Sequence, residues 1–112
     1  MKTERIIIKG VVQGVGFRPF LYRLAKKLGL SGIIKNTQSG VKIIASGDED
    51  CLNQFRKAIL EENPPNAFIR EIAVEEISHE VWQKNYGDVL KEIKIVLRKM
   101  MRLRLSLTFF LI

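Results

Sequence analysis

Residues 10–19 read GVVQGVGFRP, and the rest of this 112-residue chain is organised around them. The isoleucines at 6–8 and the valines at 11 and 12 form a β-branched run that is typical of a strand. A helical apolar stripe begins at Pro19, which suits a first helical position because its missing N–H would be unpaired there anyway. We therefore predict a strand over residues 5–12, a tight loop over 13–18 and a helix over 19–28.

The loop between these elements has the composition of a small anion-binding site. Gly14 and Gly16 can adopt positive φ without steric cost, so successive N–H groups can converge on one point. The positive end of the following helix adds to the field there. Arg18, which we expect to be exposed at the loop mouth, offers a planar fork of donors that matches phosphate or carboxylate. The simpler interpretation, that the two glycines only turn the chain, remains open.

Two better-known phosphate motifs do not fit these residues. A dinucleotide-binding G-x-G-x-x-G that starts at Gly14 requires glycine at position 19, where Pro19 stands. A P-loop requires G-K-[ST], but Gly16 is followed by Phe17 and Arg18. Neither a Rossmann domain nor a P-loop NTPase is therefore indicated.

Periodicity along the remaining chain predicts the fold class. Alternating or β-branched runs predict strands over residues 31–36, 41–46 and 67–80, with a turn at 37–40. A second helix should run from Asp48 to about Glu62, before Pro64 and Pro65. The order β-α-β-β-α-β is that of a ferredoxin-like α+β sandwich, an antiparallel sheet with two helices on one face. We predict a further strand over residues 92–97, and hence a domain over 1–97 followed by a basic, apolar tail over 98–112.

Charge and composition limit the kinds of partner and the cellular location that we expect for this chain. The net charge is +7, but residues 1–80 carry only twelve Lys/Arg against ten Asp/Glu, so the basic character belongs mostly to the tail. The net charge alone is therefore no reason to expect a nucleic-acid partner, and we expect none. A single cysteine, Cys51, fits a reducing cytoplasm, and no stretch predicts a signal peptide or a membrane span. Cys51 and the single histidine, His79, are interpreted as residues without a catalytic or ligand-binding role.

The loop motif, GVVQGVGFR at residues 10–18, resembles the signature of the acylphosphatase family. The segment GIIKN at 32–36, followed by Gly40-Val41, resembles that family's second conserved block. The resemblance covers about residues 4–80. Within the family, Arg18-Pro19-Phe20 and the Asn63-Pro64-Pro65 segment look most like the N-terminal domains of HypF-type hydrogenase maturation carbamoyltransferases.

The resemblance implies an activity and a set of site residues. The reaction implied is hydrolysis of a carboxyl-phosphate anhydride, with carbamoyl phosphate as the substrate in the HypF-type branch. Arg18 and backbone N–H groups would hold the phosphate, and inorganic phosphate or sulfate would occupy the same site. Asn36 would position the attacking water, although a turn-entry role for Asn36 remains open. No metal or cofactor is expected. The phosphate-binding residues implied are Gln13, Gly14, Val15, Gly16, Phe17 and Arg18.

Other functions remain as alternatives. The paired C-x₂-C motifs and later domains of the carbamoyltransferases have no counterpart in this sequence, so full carbamoyl transfer is not expected from this chain alone. The chain could instead be a non-catalytic anion-binding or docking fragment of such a protein, with self-association through the apolar tail. An RNA-binding ferredoxin-like module is disfavoured because its central strands should carry aromatic residues, and residues 6–8 and 41–44 have none.

Overall fold

The computed structural model describes residues 1–78 and 109–111 of the chain. Within them the elements run β1 (Lys2–Val11), α1 (Phe17–Lys27), β2 (Ser31–Thr37), β3 (Gly40–Gly47), α2 (Glu49–Glu62), β4 (Phe68–Ile77) and β5 (Phe109–Leu111). The strands form one antiparallel sheet in the order β4-β1-β3-β2-β5. The predicted β-α-β-β-α-β order is confirmed, with β5 added at the β2 edge.

Both helices pack on the same face of the sheet, as predicted. Along β1, Ile6 and Ile8 are fully buried, whereas Ile7 between them is only half-buried, so the even positions face the core. The residues that share this core with Ile6 and Ile8 include Leu21 and Ala25 of α1 and Leu52, Phe55 and Ile59 of α2. No helix among the described residues combines the length and the apolar character needed to cross a membrane.

Helix α1 begins at Phe17, two residues earlier than predicted. Pro19 is therefore its third residue rather than its first. The proline still costs no intrahelical bond, because the first such bond runs from the Phe20 N–H to the Gly16 carbonyl, at 3.2 Å. The helix ends at Lys27, one residue before the predicted end, and Gly29 follows it with φ +69°, as expected of a C-terminal glycine. The N–H of Leu30 then bonds the Ala25 carbonyl at 2.9 Å, as in a Schellman motif.

The strand boundaries differ from prediction at their ends. Strand β1 begins earlier, at Lys2, because its ladder with β3 extends to the pair Lys2–Gly47. The predicted strand over residues 92–97, the domain boundary at 97 and the last residues of the predicted 67–80 strand lie outside the described residues. Strand β5, which the sequence does not predict, pairs with β2 between Ile33–Leu111 and Lys35–Phe109.

A buried ion pair holds α2 against β1 at the end of the sheet away from the loop. The Glu4 side chain is only 5% exposed, and its carboxylate accepts hydrogen bonds from the Arg56 guanidinium. On the opposite face of the sheet, the buried hydroxyls of Thr3 and Ser46 share a hydrogen bond of 2.6 Å across β1 and β3. Breaking a buried pair by removing one partner leaves an uncompensated charge, which costs far more than losing an exposed pair.

We expect Arg56→Ala to lower the free energy of unfolding by roughly 3 kcal/mol, because the Glu4 carboxylate would stay buried without its counter-charge. The neighbouring exposed Lys57 supplies the control, since Lys57→Ala should change stability by less than about 0.5 kcal/mol. Urea unfolding followed by circular dichroism measures both. Coincident unfolding midpoints for the two variants would contradict a stabilising role for the pair.

Candidate active site

The glycine loop, residues 13–16, joins β1 to α1 and is anchored at both ends. Val12 before it and Phe17 after it are each 1% exposed and belong to the core. Between these anchors, Gly14 and Gly16 have φ +73° and +76°. This left-handed conformation costs other L-residues roughly 1–2 kcal/mol. The two glycines therefore let the chain turn sharply between two fixed points, as the sequence predicts.

The space above the glycine loop is open. A Cβ atom built on Gly14 or Gly16 would meet no heavy atom within 4 Å. Gly16 is also the N-cap of α1, and the first turn of that helix contains no acidic residue. The N–H group of Phe17 precedes the first intrahelical bond and so has no acceptor within the helix. The exposed glycines of the loop therefore lie next to the end of α1 where the helix dipole favours negative charge.

Arg18 lies in the first turn of α1 and is half-buried, not exposed as predicted. The reason is the earlier start of the helix, which places Arg18 in a turn packed on the sheet instead of in the loop. Side chains on a helix tilt toward its N-terminus, which for α1 is the end that carries the glycine loop.

Asn36 lies on the helix-bearing face of the sheet, at the end nearest the glycine loop. It is paired with Val41, which is in turn paired with Ile8 of β1. Val41, Ile8 and the neighbouring Ile34 are all fully buried. Asn36 shares their side because residues directly opposite, and residues two apart, project to the same face. Asn36 therefore does not project from the opposite face of the sheet, where it would be separated from α1 and Arg18.

The side-chain oxygen of Asn36 is buried and accepts no hydrogen bond from any described residue. Leaving a buried acceptor unsatisfied costs about 1–3 kcal/mol, and such groups in native structures call for an explanation. A polar group that can donate a hydrogen would offset this cost. The oxygen is closed to solvent in this structure, so a bound molecule reaches it only when the side chain or its neighbours move.

The Gln13 side chain connects the glycine loop to the β2–β3 turn. Its amide nitrogen donates to the Thr37 carbonyl at 2.6 Å and to the Gly40 carbonyl at 2.8 Å. The sequence predicts Gln13 only as a backbone donor and does not predict the carbonyls of Thr37 and Gly40 as partners of its side chain. No sequence signal could have found them, because the bonds span 24 and 27 residues.

The structure thus brings several of the predicted site residues to one end of the fold. The backbone of residues 13–17, the start of α1 with Arg18, and the end of β2 with Asn36 adjoin one another around the β2–β3 turn. Cys51, in contrast, lies in α2 and is half-buried. His79 lies outside the described residues.

The fold and this loop are those of the acylphosphatase family. Residues 4–86 match its family model, described as acylphosphatase, and the chain belongs to that family. An acylphosphatase from Dehalococcoides mccartyi is 43% identical over 90 residues, covering 79% of this chain and 94% of that protein. The crystal structure of the Bacillus subtilis acylphosphatase is 41% identical, with a TM-score of 0.65 over 69% of this chain and 86% of that one.

Carbamoyltransferases of the HypF type also match this chain. HypF2 of Cupriavidus necator is 47% identical over 77 residues, which are 69% of this chain and 10% of that protein. A crystal structure of full-length HypF in a phosphate- and nucleotide-bound form is 40% identical, with a TM-score of 0.69 over 72% of this chain and 11% of that one. The chain therefore spans about a tenth of the length of the HypF relatives it matches, and the predicted resemblance to both branches is confirmed.

We expect Gly16→Ala to weaken the binding of inorganic phosphate, because alanine resists φ +76° and would turn the loop N–H groups away from their common point. Gly29→Ala is the matched control, since Gly29 has φ +69° and equally open surroundings but ends α1 at its other terminus. Both variants should lose about 1–2 kcal/mol of stability. Calorimetric titration with phosphate should detect a loss of affinity in Gly16→Ala only. Equal phosphate affinities in the two variants would contradict the anion site.

Proposed function

We propose that this chain hydrolyses carboxyl-phosphate anhydrides, converting an acyl phosphate or carbamoyl phosphate to the carboxylate or carbamate plus phosphate. The observation that carries the proposal is the position of Asn36. Its buried, unsatisfied oxygen lies on the same face as α1 and beside the glycine loop. An acceptor next to an anion-binding loop is what a reaction between water and a bound phosphate requires. Membership of the acylphosphatase family supports the same chemistry.

In the proposed ground state the loop and Arg18 hold the phosphoryl group. N–H groups of residues 13–17 donate to the phosphate oxygens, and the Arg18 guanidinium donates two further hydrogen bonds. The negative charge of the phosphoryl oxygens is thereby matched by fixed dipoles and one fixed cation. Since these donors are already oriented before the substrate arrives, little reorganisation is needed during the reaction.

Asn36 is proposed to orient the attacking water. The water donates one hydrogen to the Asn36 oxygen and directs a lone pair at phosphorus, opposite the acyl oxygen. A neutral carboxamide holds a water but is too weak a base to ionise it, so the phosphate oxygens of the substrate accept the proton. The bond from the water oxygen to phosphorus forms, the bond from phosphorus to the acyl oxygen breaks, and the carboxylate leaves with that electron pair.

These roles of the loop, Arg18 and Asn36 suit the chemistry of an acyl phosphate. A carboxylate is a good leaving group, so orientation and charge stabilisation can supply most of the rate enhancement without a covalent nucleophile. The scheme uses only the chain's own groups, and inorganic phosphate should bind the same site as product. The half-buried position of Arg18 strengthens its electrostatic contribution relative to a fully solvated cation.

A second candidate function is a non-catalytic anion-binding or docking module. It is favoured by the fact that the chain spans only a tenth of its HypF relatives, which are carbamoyltransferases by name. Turnover separates the two candidates: a docking module would bind phosphate and leave acetyl or carbamoyl phosphate intact, whereas the proposed enzyme releases phosphate from both.

We predict that Arg18→Ala lowers kcat/KM for benzoyl phosphate by about 100-fold or more and removes inhibition by inorganic phosphate, because one oriented donor pair and the fixed cation are lost. Arg23→Ala, an exposed arginine of the same helix, should behave as the unchanged chain. Circular dichroism should show both variants folded. Normal benzoyl phosphate turnover in Arg18→Ala would count decisively against the assignment.

We predict that Asn36→Ala lowers kcat by about 100-fold while inhibition by phosphate changes by less than about threefold, because the water and not the phosphate loses its partner. The variant should be as stable as the unchanged chain or up to about 1–3 kcal/mol more stable, since an unsatisfied buried acceptor is removed. Asn66→Ala, at an exposed turn, is the control. Equal losses in kcat and phosphate affinity would argue against a water-positioning role.

A further inference from the structure

The Gln13 side chain makes its two hydrogen bonds to the residues on either side of the β2–β3 turn. Both hydrogens of one amide group are used, on the Thr37 and Gly40 carbonyls at 2.6 and 2.8 Å. Thr37 and Gly40 are themselves the last pair of the β2–β3 ladder. A carboxylate of the same length could not replace the amide, because it has acceptors only.

These bonds connect the glycine loop to the β2–β3 turn, beyond the point where the pairing of β1 with β3 ends. In the described part of the chain, the β1–β3 ladder ends at the pair Lys9–Gly40, before the glycine loop begins. Thr37 directly follows Asn36 in β2. A shift of the turn relative to the loop would therefore move Asn36 relative to the phosphate-binding N–H groups.

We propose that Gln13 is a positioning residue that fixes Asn36 at the correct distance from the bound phosphate. The inference rests on the proposed function. Gln13 acts through its side chain on the turn after Asn36, in addition to any contact of its backbone N–H with phosphate. Misplacing a reacting group by about 1 Å can cost on the order of 100-fold in rate, so two hydrogen bonds that hold this distance have a large effect on kcat.

The alternative is that the bonds only stabilise the loop. The stabilising and the positioning role differ in their effects on phosphate binding and kcat, and in whether those effects depend on Asn36. A purely stabilising pair of bonds lowers the melting temperature and affects phosphate binding and turnover alike, independently of Asn36. A positioning pair affects kcat more than phosphate binding, and its effect disappears once Asn36 no longer holds the water.

The test uses Gln13→Met in the full chain, since methionine keeps the length of the side chain and removes both donors. We expect kcat for benzoyl phosphate to fall at least about tenfold, with inhibition by phosphate changed less than about threefold. Gln13→Glu should lose more, because its carboxylate would face two carbonyl oxygens. Gln38→Ala, an exposed glutamine inside the same turn, should keep the full rate.

A double-mutant cycle with Asn36→Ala completes the test. In the Asn36→Ala background, Gln13→Met should lower kcat by less than about twofold further. Independent, multiplying losses, or equal losses in kcat and phosphate affinity, would overturn the positioning role while leaving the proposed function intact. Failure of the unchanged chain to hydrolyse acyl phosphates would instead overturn the proposed function and this inference with it.

Discussion

The left-handed backbone at Gly14 and Gly16 is the constraint on which the rest of the site depends. Because Val12 and Phe17 are both fixed in the core, the residues between them must reverse direction within a short span. Side chains at the two turning points would raise the energy of that path. The same conformation leads directly into the start of α1, so it supplies both the connection and the N–H groups that we propose bind the anion.

The antiparallel sheet then brings the other half of the site to the loop. Ile8, Val41 and Asn36 lie in one row across β1, β3 and β2, and the first two are buried in the core. Asn36 occupies the polar end of an otherwise apolar face, which explains how its oxygen comes to be buried without a partner. The register of the sheet thus places the Asn36 side chain on the same face as α1, at the end nearest the loop that we propose binds the anion.

Sequence patterns predicted the element order, the antiparallel sheet and the tight glycine loop because each depends on local periodicity or on a motif, and the roles of the loop and of Asn36 stay predictions. They placed the start of α1 too late because Pro19 is permitted at the third helical position as well as at the first, and this error led to the expectation of an exposed Arg18. The Gln13 bonds to Thr37 and Gly40, and the pairing of β5 with β2, depend on tertiary contacts that no local pattern encodes.

If phosphate binds to the loop amides beside Arg18, a titration of the ¹⁵N-labelled chain with inorganic phosphate will show it residue by residue. We expect saturable shifts that are largest at the N–H groups of residues 13–17 and at the Arg18 side chain, with one dissociation constant for all of them. Unshifted loop amides, or changes spread over surface lysines such as Lys26 and Lys27, would contradict it.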